Sequence, residues 1–424
     1  MSEPRDFLPY GRHEIDEADI QAVVRVLRGD WLTTGPAVEA FESAFATKVG
    51  AEHAVSCNSG TAALHLAAMA LGIGPGDHVL VPAITFVSTA NVVRHAGGEV
   101  VFADVDPATG LMTPETLEEA RARLEGSSRA RAVFPVHLNG QCADMVGIGR
   151  LARAHGLRVV EDACHAIGGS YPGADGGYAT VGGCRHGDVA AFSLHPVKTV
   201  TMGEGGVATT NDSDLADRLR SLRAHGMTRA RFENADLAFA ADGTPNPWYH
   251  EFQVLGFNYR ASDIQCALGL SQLRKLDGFV ARRRALAARY DALLEDLAPL
   301  ARPVSAVHGG KPAWHLYAVL IDFAAAGVSR AVVMNELRAR GIGTQVHYIP
   351  VHRQPYYRAR YGHIHLPGAE AYYARCLSLP LFPAMTERDV ERVVDALRAV
   401  LAAGEPAARA SLRRELVHDY PVLQ

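Results

Sequence analysis

The segment 188–210, DVAAFSLHPVKTVTMGEGGVATT, places a lysine between two apolar runs. The first run ends at Ser193, Lys198 follows it, and the glycine-rich residues 203–206 precede the second run. A loop lysine is usually solvated, but a lysine that is partly withdrawn from water has a lowered pKa and can react as an amine. The glycines predict a tight turn or a close approach of two backbones, and they match neither a phosphate loop nor a dinucleotide fingerprint. The segment alone leaves both interpretations of Lys198 open.

Around this segment, from about residue 50 to residue 210, short apolar runs alternate with helical patterns. The apolar runs predict buried parallel strands at 79–83, 100–103, 132–136, 158–160, 189–192 and 207–209. The helical patterns lie at 61–71, 114–124 and 148–155. This alternation predicts an α/β fold with helices on both faces of a parallel sheet. Ligands bind at the carboxyl ends of such strands, so residues that follow the apolar runs are the candidates for function.

The rest of the chain predicts a second, smaller unit. A long helical region covers 262–297, and its basic triplet 282–284 is predicted to be a solvated helix face. Strand-like runs at 316–321 and 345–348 and helical patterns at 330–340 and 387–401 follow. We therefore predict a large domain over residues 1–280, including an N-terminal substrate segment, and a small α+β domain over residues 281–424. Outside these elements, 235–247 is predicted to be a loop, and 409–414 a helix face in the tail.

The composition predicts a cytoplasmic protein with a large core. The chain has 424 residues, of which 48% are hydrophobic, and its formal net charge of −4 is no reason to expect binding to nucleic acid or to an anionic membrane. No apolar run approaches the roughly 18 residues of a membrane span, and the N-terminus lacks an apolar signal core. The six scattered cysteines predict free thiols. The histidines lack a cysteine or carboxylate that would complete a recognisable metal site, so none is predicted.

Three further features follow predicted strands. In NSGTAAL (58–64), Ser59 is a candidate N-cap, and the free N–H groups of the helix start suit a phosphate. In VVEDACH (159–165), a strand ends in Asp162, which needs a cationic or hydrogen-bonding partner if it is buried. Phe86 can stack on a planar ring. Each feature alone has an ordinary structural interpretation, as an N-cap, a loop-capping carboxylate or a core aromatic.

Together with Lys198, these features match the needs of pyridoxal phosphate. A lysine forms a Schiff base with this cofactor, and a carboxylate keeps its pyridine nitrogen protonated so that the ring accepts electrons. The helix start and the Ser193 hydroxyl can hold its phosphate. The residues therefore predict an enzyme that depends on pyridoxal phosphate.

The ordered motifs resemble those of the DegT-type sugar-nucleotide aminotransferases. The resemblance runs from about residue 10 to residue 383 and rests on TTGP (33–36), NSGTAALHLA (58–67), PAITFVSTANV (82–92), FADVD (102–106), EDACHAIGG (161–169), FSLHPVKTVTMGEGG (192–206), GFNYRASDIQCALGLSQL (256–273) and QVHYIPVHRQPYYR (345–358). It implies the α/β architecture of fold type I, like aspartate aminotransferase. This architecture has a large domain with a mostly parallel central sheet and a smaller C-terminal α+β domain.

The resemblance also implies roles for individual residues. The catalytic residues would be Lys198, which binds the cofactor covalently, Asp162 at the pyridine nitrogen, and His165, where many relatives have Gln, beside the cofactor's O3′. The remaining cofactor contacts would be Gly60, Thr61 and Ser193 at the phosphate, Phe86 on the ring and Asn258. Because Asn258 would reach the phosphate in the neighbouring subunit, the implied active unit is a homodimer with shared active sites.

Within the family, HPVK, GEGG, FNYRASDIQCALGLSQL and VHYIPVH resemble the branch of the pseudaminic acid pathway, although Leu194 replaces the usual Phe of that branch. The implied reaction transfers the amino group of L-glutamate to C4 of a UDP-linked 4-keto-6-deoxy-N-acetylhexosamine. The residues implied to contact this nucleotide sugar are Tyr10, Asp30, Trp31, Leu32, Thr33, Gln345, Val346, His347 and Tyr348.

Other functions on the same scaffold stay open. The substrate could be another nucleotide-linked keto sugar, such as a UDP-4-keto-pentose or a dTDP-4-keto-6-deoxyhexose. A cofactor-dependent sugar dehydratase would carry His in place of Lys198, and a non-catalytic regulator would be expected to lose Lys198 or Asp162. The presence of both residues argues against these last two functions.

Overall fold

The structure, a computed structural model, describes residues 7–124, 130–173, 176–229, 232–307 and 309–403, so the predicted helix face at 409–414 lies outside the described residues. The strands are β1 (His53–Cys57), β2 (His78–Pro82), β3 (Glu99–Ala103), β4 (Ala130–Val133), β5 (Arg158–Asp162), β6 (Ser170–Pro172), β7 (Tyr178–Thr180), β8 (Val189–Ser193), β9 (Gly206–Thr210), β10 (Met227–Thr228), β11 (Glu251–Phe252), β12 (Ala301–Pro303), β13 (Tyr317–Ile321) and β14 (Cys376–Leu379). The α-helices are α1 (Glu17–Leu27), α2 (Pro36–Val49), α3 (Gly60–Ala70), α4 (Ser88–His95), α5 (Pro114–Ala122), α6 (Met145–Ala154), α7 (Ser213–Arg223), α8 (Ala235–Ala238), α9 (Asp263–Leu273), α10 (Leu276–Leu294), α11 (Arg330–Ala339), α12 (Pro355–Tyr361), α13 (Pro367–Arg375) and α14 (Glu387–Ala403). Short 3₁₀ helices lie at Leu138–Gly140, Glu295–Leu297 and Val351–Arg353.

A mostly parallel sheet forms the centre of the fold, as predicted. Its order is β1-β9-β8-β5-β4-β2-β3, and every pair from β8 to β3 is parallel. The prediction of a parallel strand at 207–209 is wrong, because β9 runs antiparallel to both of its neighbours. Only residues 194–205 connect β8 to β9, and they contain no crossover helix of the kind that brings a chain back in parallel. The chain therefore returns directly along the strand that it has just left.

Helix α3 lies against the middle of this sheet. Its sequence, GTAALHLAAMA, is apolar on all sides, and most of its residues are buried, as expected of a helix enclosed within a core. It packs on β8 and β9 and between α4 and α7. Its N-terminus is thereby brought to the ends of the central strands.

A second, antiparallel sheet of β12, β13 and β14 supports the C-terminal part of the chain. Its core includes buried apolar residues of α10, α11 and α14, and Leu8 from the N-terminal segment also contributes. In α14 the buried positions recur at helical spacing. The predicted boundary at residue 280 falls inside α10, so the division into two domains there stays a prediction.

The predicted helix over 262–297 is in fact two helices, α9 and α10, separated at Arg274 and Lys275. The prediction that 282–284 is a solvated face is wrong for Arg283, which is buried. Its guanidinium donates to the carbonyl oxygens of His315 at 3.1 Å and of Leu381 at 2.8 Å. A charge out of water needs such partners, and here the arginine ties α10 to the segments flanking the second sheet.

Two shorter predictions also change. Residues 345–348 do not form a strand, because only Gln345 pairs with Ser378 of β14 and the chain then leaves the sheet edge. The predicted loop 235–247 contains the short helix α8. Within the described ranges, no helix has both the length and the apolar character that a membrane crossing requires.

Candidate active site

The candidate residues lie at one edge of the central sheet, as the strand pattern predicts. Asp162 is the last residue of β5 and Ser193 the last of β8, and these two strands are parallel neighbours. Strand β1 ends at the same edge, because its last residue, Cys57, pairs with Gly206 opposite Ser193. The start of α3 and the loop that carries Lys198 therefore lie next to Asp162.

Helix α3 approaches β8 closely at the first of these positions. Ser59 caps the helix by accepting the N–H of Ala62 at 3.1 Å. A Cβ atom added to Gly60 would lie 2.6 Å from Cβ of Ser193, so only glycine allows this approach. The Ser193 hydroxyl oxygen would lie 3.1 Å from the same Cβ atom, so it lies beside the first N–H groups of the helix, and Thr61, the next residue of the helix, is exposed. This donor set fits a phosphate group.

The glycines of 203–206 allow both a turn and a close approach of two backbones, as their pattern predicts. Gly203 has a φ of +79°, which a glycine adopts without strain. A Cβ atom on Gly206 would lie 2.1 Å from the carbonyl oxygen of Ser59. Glycine at 206 therefore lets β9 pass directly behind the start of α3.

Asp162 is buried and held by donors on both oxygens. Its Oδ2 accepts from the Thr89 hydroxyl at 2.7 Å, and its Oδ1 accepts from the N–H of Cys164 at 3.1 Å. Thr89 in turn hydrogen-bonds to the Thr85 hydroxyl at 2.7 Å. An ionised carboxylate has about four acceptor positions, so Asp162 can still accept a proton-bearing ring nitrogen. The sequence gives no direct signal for Thr89, which lies on α4, far from Asp162 in the chain.

Lys198 lies in the loop between β8 and β9 and is only partly exposed. Its N–H donates to the carbonyl oxygen of His195 at 2.9 Å, which makes a turn of the backbone before it. The pKa of Lys198 is lowered by desolvation, against the opposing attraction of Cys164 and Asp162. The amine is therefore not the freely solvated charge of an ordinary loop lysine.

His165 is buried beside these groups. Its Nδ1 accepts the N–H of Asn139 at 3.3 Å, and its Nε2 lies 3.1 Å from the hydroxyl oxygen of Tyr348. Burial lowers the pKa of His165 well below its usual value, and the nearby Lys198 and His347 add to this effect. Both ring nitrogens thus have partners within the chain, whereas the resemblance places this ring beside the cofactor's O3′.

We use the word niche for the space beside Asp162, Lys198 and the start of α3. Aromatic side chains form its open wall. Phe86 is 55% exposed, and its ring centroid lies 6.0 Å from that of Tyr348. The Tyr10 ring lies 5.6 Å from that of His347, whose Nδ1 is 2.8 Å from the Ser378 hydroxyl. The structure thus brings together Tyr10, His347 and Tyr348 of the predicted substrate contacts. Gln345 and Val346 precede them at the sheet edge.

The other predicted substrate segment, residues 30–33, lies against α9. Asp30 and Trp31 line a cavity of about 440 Å³ between α1 and α9, and Thr33 pairs with Ser262. Helix α9 also contacts the Lys198 loop, because Gln265 donates to the carbonyl oxygen of Glu204 at 2.6 Å. The segment is therefore linked to the niche through α9, and its contact with a substrate stays a prediction.

Asn258 is exposed in the single chain. The adjacent Tyr259 accepts the N–H of Asn58 at 2.8 Å, which places Asn258 near the start of α3. Large apolar side chains precede it in the sequence: Trp248 is 73% exposed and Leu255 86% exposed. Of the His, Cys, Asp and Glu side chains in the described part of the chain, no three are arranged to hold a metal ion.

The chain matches the DegT/DnrJ/EryC1/StrS aminotransferase family over residues 13–398. It is 42% identical over 399 residues to the spore coat polysaccharide biosynthesis protein SpsC of Bacillus subtilis (strain 168), covering 93% of this chain and 97% of SpsC. The structure resembles Helicobacter pylori PseC, an aminotransferase involved in the biosynthesis of pseudoaminic acid, with a TM-score of 0.83, 27% identity and coverage of 94% and 100% of the two chains. It also resembles DesI, solved in the presence of its TDP-sugar product, with a TM-score of 0.80, 31% identity and 97% coverage of each chain.

Proposed function

The chain belongs to the DegT/DnrJ/EryC1/StrS aminotransferase family, and from this premise we propose that it transfers an amino group from L-glutamate to C4 of a UDP-linked 4-keto-6-deoxy-N-acetylhexosamine, in pseudaminic acid biosynthesis. Its cofactor is pyridoxal phosphate, as in the rest of the family. The observation that carries the proposal is the meeting of a lysine of lowered pKa, Lys198, with the oriented carboxylate of Asp162. The start of α3 at Gly60 and the hydroxyl of Ser193 lie next to each other at the same edge of the sheet.

The cofactor would be held by residues of α3, β5 and β8 and of the loop between β2 and α4. The N–H groups of Gly60 and Thr61 and the Ser193 hydroxyl would bind its phosphate, Phe86 would stack on its ring, and Asp162 would hold the proton on its pyridine nitrogen. When bound, pyridoxal phosphate supplies an electron sink that allows a proton to leave the carbon bearing the amine. The hydrogen bond from Thr89 fixes the Asp162 carboxylate and would hold it in place for this contact.

Lys198 would have two roles in the reaction. It would hold the cofactor covalently through Nζ. Its amine, when free, would take a proton from the carbon that bears the amino group and would later give a proton back as the amino group is transferred. Because its pKa is lowered, a larger share of Lys198 is neutral, and so able to accept a proton, than of a solvated lysine at the same pH.

The similarity to PseC, an aminotransferase involved in the biosynthesis of pseudoaminic acid, supports a sugar substrate of that pathway. The resemblance of the motifs HPVK and VHYIPVH to the pseudaminic acid branch implies the same assignment. The side chains available to receive a sugar are those of the wall formed by Tyr10, His347 and Tyr348, which faces Phe86. SpsC, with 42% identity, is a protein of polysaccharide biosynthesis, which supports a sugar substrate in general.

A second candidate substrate is a dTDP-4-keto-6-deoxyhexose, because DesI, a structural neighbour at 31% identity, was solved with a TDP-sugar. A hydrophobic pocket that differs by one methylene discriminates by only about 1–3 kcal/mol. A few wall contacts could therefore distinguish the two nucleotide sugars, or a UDP-4-keto-pentose, without any change of fold.

We also propose that the active unit is a homodimer. The exposed Trp248, Phe252 and Leu255 form an apolar stretch next to Asn258, and large apolar side chains grouped on a surface mark interaction sites. Burial of this stretch against a second copy would carry Asn258 toward the partner's phosphate site, in agreement with the role that the resemblance implies.

The test is a panel of nucleotide keto sugars offered with L-glutamate, with 2-oxoglutarate release and the aminated sugar both measured. We expect turnover with the UDP-linked N-acetylated 4-keto sugar, and no 2-oxoglutarate beyond one equivalent when the sugar is omitted. Good amination of a dTDP sugar with none of the UDP sugar would overturn the substrate assignment. Failure of every keto sugar to accept the amino group would overturn the function.

A further inference from the structure

Glu161 lies next to Asp162 in β5 but points to the other face of the central sheet. Consecutive side chains of a strand alternate between the two faces, so Glu161 does not reach the niche in which Asp162 lies. Its side chain is fully buried, as is that of His137, and its Oε2 lies 3.1 Å from Nε2 of this histidine. Glu161 and His137 thus form a buried pair on the far side of β5 from the candidate site.

The His137 ring closes the turn formed by residues 137–143. Its Nδ1 accepts the N–H of Ala143 at 3.1 Å, so Nδ1 presents a lone pair. A neutral imidazole then carries its proton on Nε2, and this N–H donates to Glu161. A single ring therefore links the end of the turn to β5.

Two groups of the candidate site are bound to the same turn. The N–H of His137 donates to the carbonyl oxygen of Asp162 at 3.0 Å, so the turn begins on the main chain that carries this carboxylate. Asn139, in the middle of the turn, donates its N–H to Nδ1 of His165 at 3.3 Å. A displacement of the turn would therefore move both Asp162 and His165.

The backbone conformation of the turn has to be held by its surroundings. Asn139 has a φ of +62° and Gly140 a φ of +96°, a region that a residue with a side chain seldom occupies unless its neighbours fix it. Gly140 accepts the N–H of Ala313 at 3.0 Å, and Asn139 accepts that of His315 at the same distance. The C-terminal segment thus fixes one side of the turn, and the buried pair fixes the other.

Stability alone is a weak reason for this buried pair. The Oε1 atom of Glu161 has no hydrogen-bond partner among the described residues. A Cβ atom on Gly187 would lie 2.8 Å from it, so glycine at 187 leaves room for the carboxylate. Buried polar pairs often stabilise a protein no more than apolar residues of similar volume do. The position that the pair gives to the turn is therefore the better explanation for its presence.

We propose that Glu161 and His137 are positioning residues, which hold Asp162 in place for the pyridine nitrogen of bound pyridoxal phosphate by fixing the turn 137–143. Neither side chain touches the cofactor, and both act through the main chain of Asp162. This inference rests on the proposed function, since it requires the cofactor to contact Asp162.

The contact of Asp162 can be measured by comparing two ligands of the apo-protein, pyridoxal phosphate and an analogue with carbon in place of its pyridine nitrogen. Both ligands carry the phosphate and the aldehyde that reacts with Lys198, so the ratio of their Kd values reports the hydrogen bond to Asp162. A hydrogen bond to a charged group corresponds to a ratio of about 10 to 100 in the wild type. The measurement needs no turnover.

Variants of Glu161 separate positioning from packing. Glu161→Leu offers His137 no acceptor and should reduce the ratio by about 10-fold, whereas Glu161→Gln keeps an oxygen that can accept and should retain the wild-type ratio. Asp19→Leu is the matched control, because Asp19 is also buried and also has one oxygen without a partner in the described ranges. Its other oxygen is bound by Gln272 and Lys275, so this variant should lose stability but keep the ratio.

A Glu161→Leu protein that is less stable but keeps the wild-type ratio would overturn the inference, and so would equal reductions in Glu161→Leu and Glu161→Gln. If Glu161→Leu does not fold, His137→Asn decides, because asparagine can still accept from Ala143 but is too short to reach Glu161. An unchanged ratio in that variant overturns the inference. Equal Kd values for the two ligands in the wild-type protein would instead contradict the role of Asp162 in the proposed function, so the two failures are distinct.

Discussion

Replacement of Gly60 by alanine tests whether the close approach of α3 and β8 builds the phosphate site. The new Cβ atom would lie 2.6 Å from Cβ of Ser193, whereas ordinary contacts begin at 3.4 Å, so the two elements must separate by about 3.4 − 2.6 = 0.8 Å. The Cα and Oγ atoms of Ser193 would lie 3.0 and 3.1 Å from the same new Cβ atom. A rotation of the Ser193 side chain alone therefore does not relieve the contact. The substitution therefore moves the start of the helix.

Two effects of opposite sign contribute to the stability of this variant. Alanine is a better helix former than glycine by about 1 kcal/mol, but overpacking of a dense interior costs about 1–3 kcal/mol. We expect a net loss of up to about 2 kcal/mol in the free energy of unfolding. The displaced N–H groups would also weaken a hydrogen bond to the phosphate worth about 1.5–3 kcal/mol, which corresponds to a roughly 10- to 100-fold rise in the Kd of the cofactor.

The assay is denaturant unfolding of the apo-protein, together with titration of pyridoxal phosphate followed by absorbance. Gly278→Ala is the matched control, because Gly278 lies in α10 with no atom near its missing Cβ and alanine there should be neutral or stabilising. The double variant Gly60→Ala/Ser193→Gly should recover stability but not affinity, since it also removes the Ser193 hydroxyl. A Gly60→Ala protein with wild-type stability and wild-type Kd would refute the reasoning.

Three further predictions concern the lysine, a buried histidine and the exposed apolar stretch. Lys198→Arg should bind the cofactor without the visible band of covalent attachment and lose roughly 10²–10⁴-fold in turnover; wild-type turnover would contradict the assignment. Burial lowers the pKa of His65 to about 4 from 6.5, so its stabilising effect is present above pH 6.5 and is lost as the pH falls toward 4. Urea unfolding should therefore show that the free energy of unfolding falls by about 2 kcal/mol less in His65→Gln than in the wild type when the pH is lowered from 7 to 5. An equal fall in the two proteins would contradict this role of His65. Leu255→Asp should shift the protein from dimer to monomer in analytical ultracentrifugation and lower its activity, whereas an intact dimer would exclude this stretch from the interface.

The sequence predicts most of the central sheet and the position of the site, because both depend on local patterns. Apolar runs mark the strands, and the polar residues that follow them, Asp162 and Ser193, meet at one edge since neighbouring strands are parallel. The predicted direction of β9 is wrong because an apolar run carries no signal for the direction in which its strand pairs.

The partners of the site residues could not be predicted in the same way. Thr89 binds Asp162 and Asn139 binds His165 across long stretches of chain, and neither contact leaves a periodic signal. Arg283 looks like part of a basic helix surface, and only the tertiary packing shows that its guanidinium meets buried carbonyl oxygens. Pairings between distant segments depend on how the layers stack, which a local pattern does not encode.

The reversed strand β9 affects how the lysine is held in place. Ser193 pairs with Gly206, so residues 194–205 form a loop whose two ends are fixed by one ladder of hydrogen bonds. The loss of chain entropy on closing this loop is small because the loop is short. Its two ends are joined by β8 and β9 and need no contact from the C-terminal sheet. The wall residues His347 and Tyr348, in contrast, are attached to the second sheet, because Gln345 pairs with Ser378 of β14 and His347 hydrogen-bonds to the same serine. A change in the C-terminal half can therefore reshape the surface that receives the sugar while Lys198 keeps its place beside Asp162, so substrate preference and amine chemistry can vary independently.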